Sequence, residues 1–407
     1  MKNNWQTKKL IELCDFYNGL WKGKKEPFVN VRVIRNTNFK KNGLLSLSNT
    51  AYLDVEERQF KIRKLKFGDI ILEKSGGGPK QPVGRVALFT VKDGNYSFSN
   101  FTSAIRVKDP KQIDFNYLHN YLFLFYLLGL TDSMQNHSTG IRNLDFDKYK
   151  NIEVRFPTSI FEQKRTVKIL DEIFEKIEKA KENTEKNLQN SQDLFESCLQ
   201  NVFTAKDSGW ENKKLGQVCE LIKRGISPRY ISSAGLCILN QKCIRDHKIN
   251  YDSSRFHDIK YKKVSEEKKI KIGDVLINST GTGTLGRIAQ VREKQVEATV
   301  DSHITIVRPL QGNFYNDFFG YALILIEKMI EGSATGASGQ TELPRTALQN
   351  DFRISYPKSL SKQKEIVKKL DEISEQTKKL EEIYKKKLET LEEFKKSTLN
   401  EAFLGKL

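Results

Sequence analysis

The chain has 407 residues, 38% of them hydrophobic and 24 of them Phe, and a formal net charge of +18. It is too long for one ordinary core and too apolar for wholesale disorder, so two domains plus connecting elements are expected. The longest apolar stretch runs from Phe115 to Leu130, about 16 residues with His119 and Asn120 inside it, which is short for a membrane span and reads as a buried helix. The opening MKNNWQTKKL has no apolar run, so no signal peptide is expected. Five cysteines without a paired framework fit a reducing cytoplasm, with Cys14 and Cys219 as small buried apolar groups.

In chain order, strands are predicted at Phe28-Val29 with Val31 to Ile34, at Asp69 to Leu72, at Gly84 to Phe89 and at Ala104 to Val107. A helix follows at about 115–130, and Ile152 to Phe156 alternates like a closing strand that Pro157 ends. Next comes a helix without Gly or Pro, with Val167, Leu170, Phe174, Ile177, Ala180, Thr184, Leu188, Leu194, Cys198 and Val202 mostly three or four positions apart. The order then repeats: Asp274 to Ile277, Gly286 to Ala289, His303 to Val307, a helix at about 315–331, and Phe352 to Tyr356 before Pro357. A second long helix closes the chain, with Val367, Leu370, Ile373, Thr377, Leu380, Tyr384, Leu388, Leu391, Phe394 and Thr398 on one stripe. Each long helix spans about 60 Å at 1.5 Å per residue, and an antiparallel pair with a block at each end is the simplest layout.

The chain is therefore written twice. Trp5, Gly68-Asp69, Phe156-Pro157, Gln163, Leu170-Asp171 and Phe203 return as Trp210, Gly273-Asp274, Tyr356-Pro357, Gln363, Leu370-Asp371 and Phe403, at offsets of about 205 early and 200 late. Such a period is a whole block plus a whole helix, not a solenoid unit. Residues 1–157 carry 26 basic and 15 acidic side chains, residues 158–206 carry 8 and 9, residues 207–357 carry 22 and 17, and residues 358–407 carry 13 and 10. The basic excess sits mostly in the two blocks, which points to a polyanion partner.

Gly281-Thr282-Gly283-Thr284-Leu285-Gly286 matches the spacing of a dinucleotide-binding loop, but a strand-like run follows where a helix would have to begin, and copy one keeps only glycine richness (Gly76, Gly77, Gly78, Gly84). A strand-to-strand loop that lets a ligand backbone approach is the better reading. Around it, Lys74, Ser75, Lys80 and Arg85 in copy one and Asn278, Ser279, Thr280, Thr282 and Arg287 in copy two supply donors for phosphates and base edges. Ordinary turn chemistry is the bland account of each. Cys237, Cys243, His247 and His257 match no strong zinc spacing. No nucleophile elbow, P-loop, paired-carboxylate signature or methyltransferase tetrapeptide is present, so the chain reads as a binder with no catalytic residues.

Taken together, the Trp…Lys-Leu openings, the Gly-Asp-Ile-Ile-Leu and Gly-Asp-Val-Leu-Ile strands, the Gly-Arg pairs and the Phe/Tyr-Pro-x-Ser-Ile/Leu-x-x-Gln-Lys lead into each helix resemble the specificity subunit of Type I restriction-modification systems, over essentially the whole chain. The resemblance implies an α+β fold: target recognition domains at 1–157 and 207–357, and conserved helical regions at 158–206 and 358–407 that pair antiparallel as a coiled-coil spacer, in a pseudo-two-fold internal repeat. It implies a cytoplasmic subunit that reads a split, asymmetric double-stranded DNA target. Two methyltransferase subunits and two restriction-translocase subunits are its implied partners, and these hold the S-adenosylmethionine, ATP and magnesium, with no cofactor in this chain. By position, Arg32 and Arg35, with Lys242 and Arg245 as approximate counterparts, and His303 join the glycine-loop residues as expected DNA contacts. The rival readings are a structural coiled coil whose basic blocks anchor non-specifically to nucleic acid, and a nucleotide-dependent enzyme using the Gly281 loop.

Overall fold

A computed structural model of the chain describes every residue except 1–4, 79–80, 139–140, 206, 294 and 334–341, and every side chain of those described except 137, 138 and 316. Two compact units form: Met1–Glu185 with Lys386–Leu407, and Lys186–Lys385.

In the first unit an antiparallel sheet runs in the order Cys14–Asn18, Thr102–Val107, Ile70–Glu73, Val86–Leu88. Ile70, Ile71 and Leu72 are all 0% exposed, so this strand is covered on both faces. Because successive side chains point to opposite faces, Ile70 and Leu72 join a cluster with Leu118 and Leu122 of the helix Phe115–Leu127. Ile71 joins the opposite cluster with Ile34, Phe89 and Phe98. Phe28–Ile34 pairs antiparallel with Ala51–Glu56 and parallel with Tyr96–Phe98. The apolar run at 115–127 is thus the buried helix its composition indicated. Among the described residues no helix is long and apolar enough to cross a membrane.

The second unit repeats the plan with the order Cys219–Arg224, Ile304–Pro309, Val275–Asn278, Ile288–Gln290. Val275 and Ile277 face the cluster holding Phe318, Phe319 and Leu323, whereas Leu276 faces the one holding Leu239, Val300 and Ile306. Leu236–Leu239 runs parallel to Ala298–Val300 and antiparallel to Arg255–His257.

In both units the Gly-Asp pair opens the central strand, with Gly68 at φ 87° and Gly273 at φ 94°. Each Asp is buried against an arginine of the neighbouring strand. Arg106 meets Asp69 at 2.7 and 2.6 Å, and Arg308 meets Asp274 at 2.7 and 2.7 Å. Such forked pairs bring geometric specificity to a buried site and are costly to break from one side.

The long helices span Ile160–Thr204 and Leu360–Phe403. Each is entered from a strand that ends in proline, Glu153–Pro157 paired with Trp5–Lys9 and Arg353–Pro357 paired with Trp210–Lys214. The motif glutamines explain the recurring lead sequence. Gln163 donates to the Pro157 and Gln112 carbonyls at 2.8 and 3.0 Å and accepts from the Asp114 amide at 2.8 Å. Gln363 bonds the Pro357 and Asn313 carbonyls and the Tyr315 amide at 2.7, 3.1 and 2.7 Å. One buried amide thus ties the closing strand, the long helix and the core helix together.

Each unit draws on both long helices. Val167 and Leu170 of the first helix and Leu399, Ala402 and Phe403 of the second share the first unit's main cluster. Leu199 and Phe203 of the first, with Val367 and Leu370 of the second, share the corresponding cluster of the second unit. Within the first unit Glu178 bonds Lys395 at 3.2 Å and Lys181 bonds Glu392, so residue numbers rise on one helix as they fall on the other: the pair is antiparallel.

Candidate nucleic-acid interface

The glycine-rich segments sit between the central strand and its return strand. Neither leads into a helix: Val275–Asn278 passes through the loop to Ile288–Gln290, its antiparallel partner, which disposes of the dinucleotide geometry. An amide side chain from a distant turn holds the loop in each unit. In the first, Asn36 Nδ2 donates to the Ser75 carbonyl at 2.7 Å; in the second, Gln241 Nε2 donates to the Thr280 carbonyl at 2.5 Å and the Thr280 hydroxyl at 2.7 Å. Glycine follows in both cases because the backbone takes a positive φ there, and the amide adds to what a side chain would meet, beside Thr284 Oγ1 in the second unit. A Cβ on Gly76 (φ 96°) would lie 3.0 Å from Asn36 Nδ2, and one on Gly281 (φ 101°) 2.9 Å from Gln241 Nε2. Beside each loop, the turn leading into the neighbouring strand presents a ring. The Phe101 carbonyl accepts the Lys74 and Ser75 amides at 3.0 and 3.1 Å and its ring is 46% exposed. The His303 carbonyl accepts the Ser279 amide at 2.8 Å, and its imidazole is exposed.

The Gly-Arg arginines diverge. Arg85 forks onto the buried Glu73 at 2.6 and 3.0 Å, reaches the Asn36 carbonyl at 3.2 Å and lies over the Phe39 ring. Its charge is neutralised in place, which corrects its expected role as a free DNA contact. In the second unit Asn278 occupies the position of Glu73, and among the described residues no carboxylate meets the corresponding arginine. Arg287, half-buried, instead bonds the Gly283 carbonyl at 2.8 Å and keeps its charge at the loop.

The other expected residues fall into three groups. Exposed cations are Arg32, whose Nη1 donates to Tyr96 at 2.8 Å with its guanidinium over the Tyr52 ring; Arg35, with only a 3.5 Å approach to Asn49; and Lys242 and Arg245. Thr282 is exposed at the loop tip. Partly engaged groups are Lys74, which donates to Asn18 at 2.9 Å over the Phe146 ring, and Ser75, 2.5 Å from Asn143. Burial, with the nearby Lys150 charge second, lowers the Lys74 pKa. Asn278 and Ser279 lie inside at 0% exposure, bonded to the Gln241 carbonyl and to Thr305, so their side chains cannot reach a ligand and instead brace the loop's root. Lys80 lies outside the described residues.

The cation pairing across the repeat also needs correction. Val33 is registered with Ser97 and Ile34 with Phe98, just as Ile238 is with Thr299 and Leu239 with Val300. The true counterparts of Arg32 and Arg35 are therefore Cys237 and Asn240, not Lys242 and Arg245. Nor do the cysteines and histidines converge. Cys237 and Cys243 are in an apolar cluster, His257 is buried with both ring nitrogens hydrogen-bonded, and His247 pairs with Glu327 on a hairpin. Asn36, Gln241 and Phe101 escaped the sequence reading. The change of offset from 205 before the glycine loop to 202 after it pairs Phe101 with His303, whereas no local signal singles out Asn36 or Gln241.

Each unit therefore offers one built surface, a clamped glycine loop with an outward ring and flanking cations. Donors and rings of this kind suit phosphate oxygens and base edges.

The family model for the Type I restriction modification DNA specificity domain matches residues 2–187 and again 207–392. A structure described under complex assembly and conformational transition of the type I R-M system is similar with a TM-score of 0.79 at 20% identity, covering 99% of this chain and 98% of that one. The crystal structure of the HsdS subunit from Thermoanaerobacter tengcongensis is similar with a TM-score of 0.61 at 19% identity, covering 100% of this chain and 98% of that one. No curated protein sequence matches this chain. With both sequence copies matched and the doubled fold shared along its whole length, this chain belongs to the Type I restriction-modification DNA specificity family.

Proposed function

We propose that this chain is the non-catalytic subunit that gives a methyltransferase its DNA sequence. Each recognition block reads one half of a split, asymmetric duplex target, and the paired helices set the gap between the halves. The observation that carries this reading is the doubling of one surface, loop, amide clamp and exposed ring, with different side chains in each copy: one frame with two specificities. The basic excess of the blocks supplies affinity for the phosphate backbone, which sequence-specific contacts then refine. Two methyltransferase subunits, using S-adenosylmethionine, and two ATP- and magnesium-dependent restriction-translocase subunits complete the assembly, and catalysis lies in them.

Expression of the chain with its methyltransferase, followed by methylation sequencing of the host genome, tests the proposal. A single bipartite motif carrying N6-methyladenine in both halves is expected. Absence of any split motif, or equal affinity for a random duplex in competition, would instead favour a coiled-coil protein with non-specific anchors.

A further inference from the structure

The hydrogen-bond chain behind His303 fixes which of its nitrogens faces outward. A backbone carbonyl can only accept, so the Gln241 atom 2.5 Å from the Thr280 carbonyl is the amide nitrogen. That nitrogen's other proton goes to the Thr280 hydroxyl oxygen at 2.7 Å. Among the described residues the hydroxyl's other partner is His303 Nδ1, 2.7 Å away, and this ring nitrogen is the acceptor open to the hydroxyl proton. With Nδ1 engaged by that hydroxyl, Nε2 is the ring nitrogen left to present an N–H outward. The backbone is held as firmly as the ring: the Asp301 carboxylate takes the His303 amide at 2.9 Å, and the His303 carbonyl takes the Ser279 amide at 2.8 Å. An exposed N–H is thereby presented in a set direction beside the loop tip Thr282-Gly283.

We infer that His303 Nε2 donates to a purine N7 in the major groove of the second half-site, with Gln241 and Thr280 as positioning residues that set its tautomer. This rests on the DNA-reading function proposed above. A lone donor held at the N7 edge favours a purine there, because N7 is an acceptor on both purines whereas a pyrimidine puts its C5 carbon at that edge and the thymine O4 acceptor lies further across the groove. The first unit cannot form this bond. Its equivalent ring is Phe101, and its loop hydroxyl, Ser75, is turned to Asn143 at 2.5 Å. The two blocks thus present unlike chemistry at the same position of the frame.

The test uses the full chain in complex with its methyltransferase subunits, on duplexes carrying the motif found by methylation sequencing. 7-Deazapurines, which lack the N7 acceptor, are substituted one at a time through the second half-site. The expected result is one position where wild type loses roughly 3- to 10-fold in affinity. His303→Phe should lose a similar factor on natural DNA and show no added penalty at that position alone. Thr280→Val should lower affinity on natural DNA and reduce the 7-deaza penalty there. The inference is overturned if no position in that half-site is sensitive, or if His303→Phe keeps the whole penalty everywhere. If wild type reads a split motif yet shows either result, only the role of His303 falls; if no motif exists, the function itself falls. Circular dichroism spectra and thermal melts of both variants that match wild type verify that they are folded.

Discussion

Phe403 is four residues from the end of the sequence, yet it belongs to the core of the first unit. It is 5% exposed and meets Tyr117 and Tyr121 edge-on, with ring centroids 5.1 and 5.3 Å apart. Removing a buried Phe side chain costs about 3–5 kcal/mol, and loss of such edge contacts belongs to the upper part of that range. Domains are stable by only ~5–15 kcal/mol. For a unit of about 200 residues each kcal/mol is worth roughly 2–4 °C, so Phe403→Ala should lower the first unit's melting temperature by roughly 8–20 °C. Hydrogen exchange read by mass spectrometry locates the effect: faster exchange is expected in 70–72 and 117–124. Protection should be kept in 275–277 and 318–323. Phe203→Ala should show the reverse pattern, because Phe203 packs 5.3 Å from Phe318 in the second unit. If Phe403→Ala loosens the second unit, or both equally, the crossed-core argument fails.

Three further outcomes follow from the same structure. Arg85→Ala strands the buried Glu73 carboxylate and should cost about 3–5 kcal/mol of stability by thermal melting, whereas Arg287→Ala should leave the melt near wild type and weaken specific DNA binding by about 1–3 kcal/mol; the opposite assignment would refute the reading of the two loops. Burial pushes the His119 imidazole down from 6.5 to about 4, so its contribution is full above about 6.5 and is lost as pH falls from there towards 4, a loss of roughly 3 kcal/mol. His119→Asn should flatten that part of the pH–stability curve, and identical slopes for the two proteins would sink the argument. Four residues inserted into the first long helix, about one turn, should lengthen the preferred gap between half-sites or abolish binding; an unchanged gap with intact affinity would remove the helix from the role of ruler.

The glycine loop was legible because two apolar runs flank it and glycine punctuates it, both local signals. Its clamp was not. Asn36 and Gln241 lie about 40 residues upstream, differ in length, and do their work through one nitrogen atom each. Pairing the cations by approximate position shifts the comparison by five residues, an error that the strand register exposes. Arg85 and Arg287 share a Gly-Arg dipeptide, and only the residue across the hairpin, Glu73 or Asn278, separates a neutralised cation from an available one.

By itself the sequence determined the doubling, the strands of each block, the two long helices and the basic character of the blocks, because periodicity, turn residues and net charge are local or additive properties. Only the tertiary structure decided that Leu399 and Phe403 complete the first core while Leu199 and Phe203 complete the second. The helical stripes carry equivalent residues in both copies, and nothing within a stripe says which block it closes. The structure alone also decided which polar groups face outward. A side chain's availability depends on the partner that reaches it, and here those partners come from strands and turns remote in sequence.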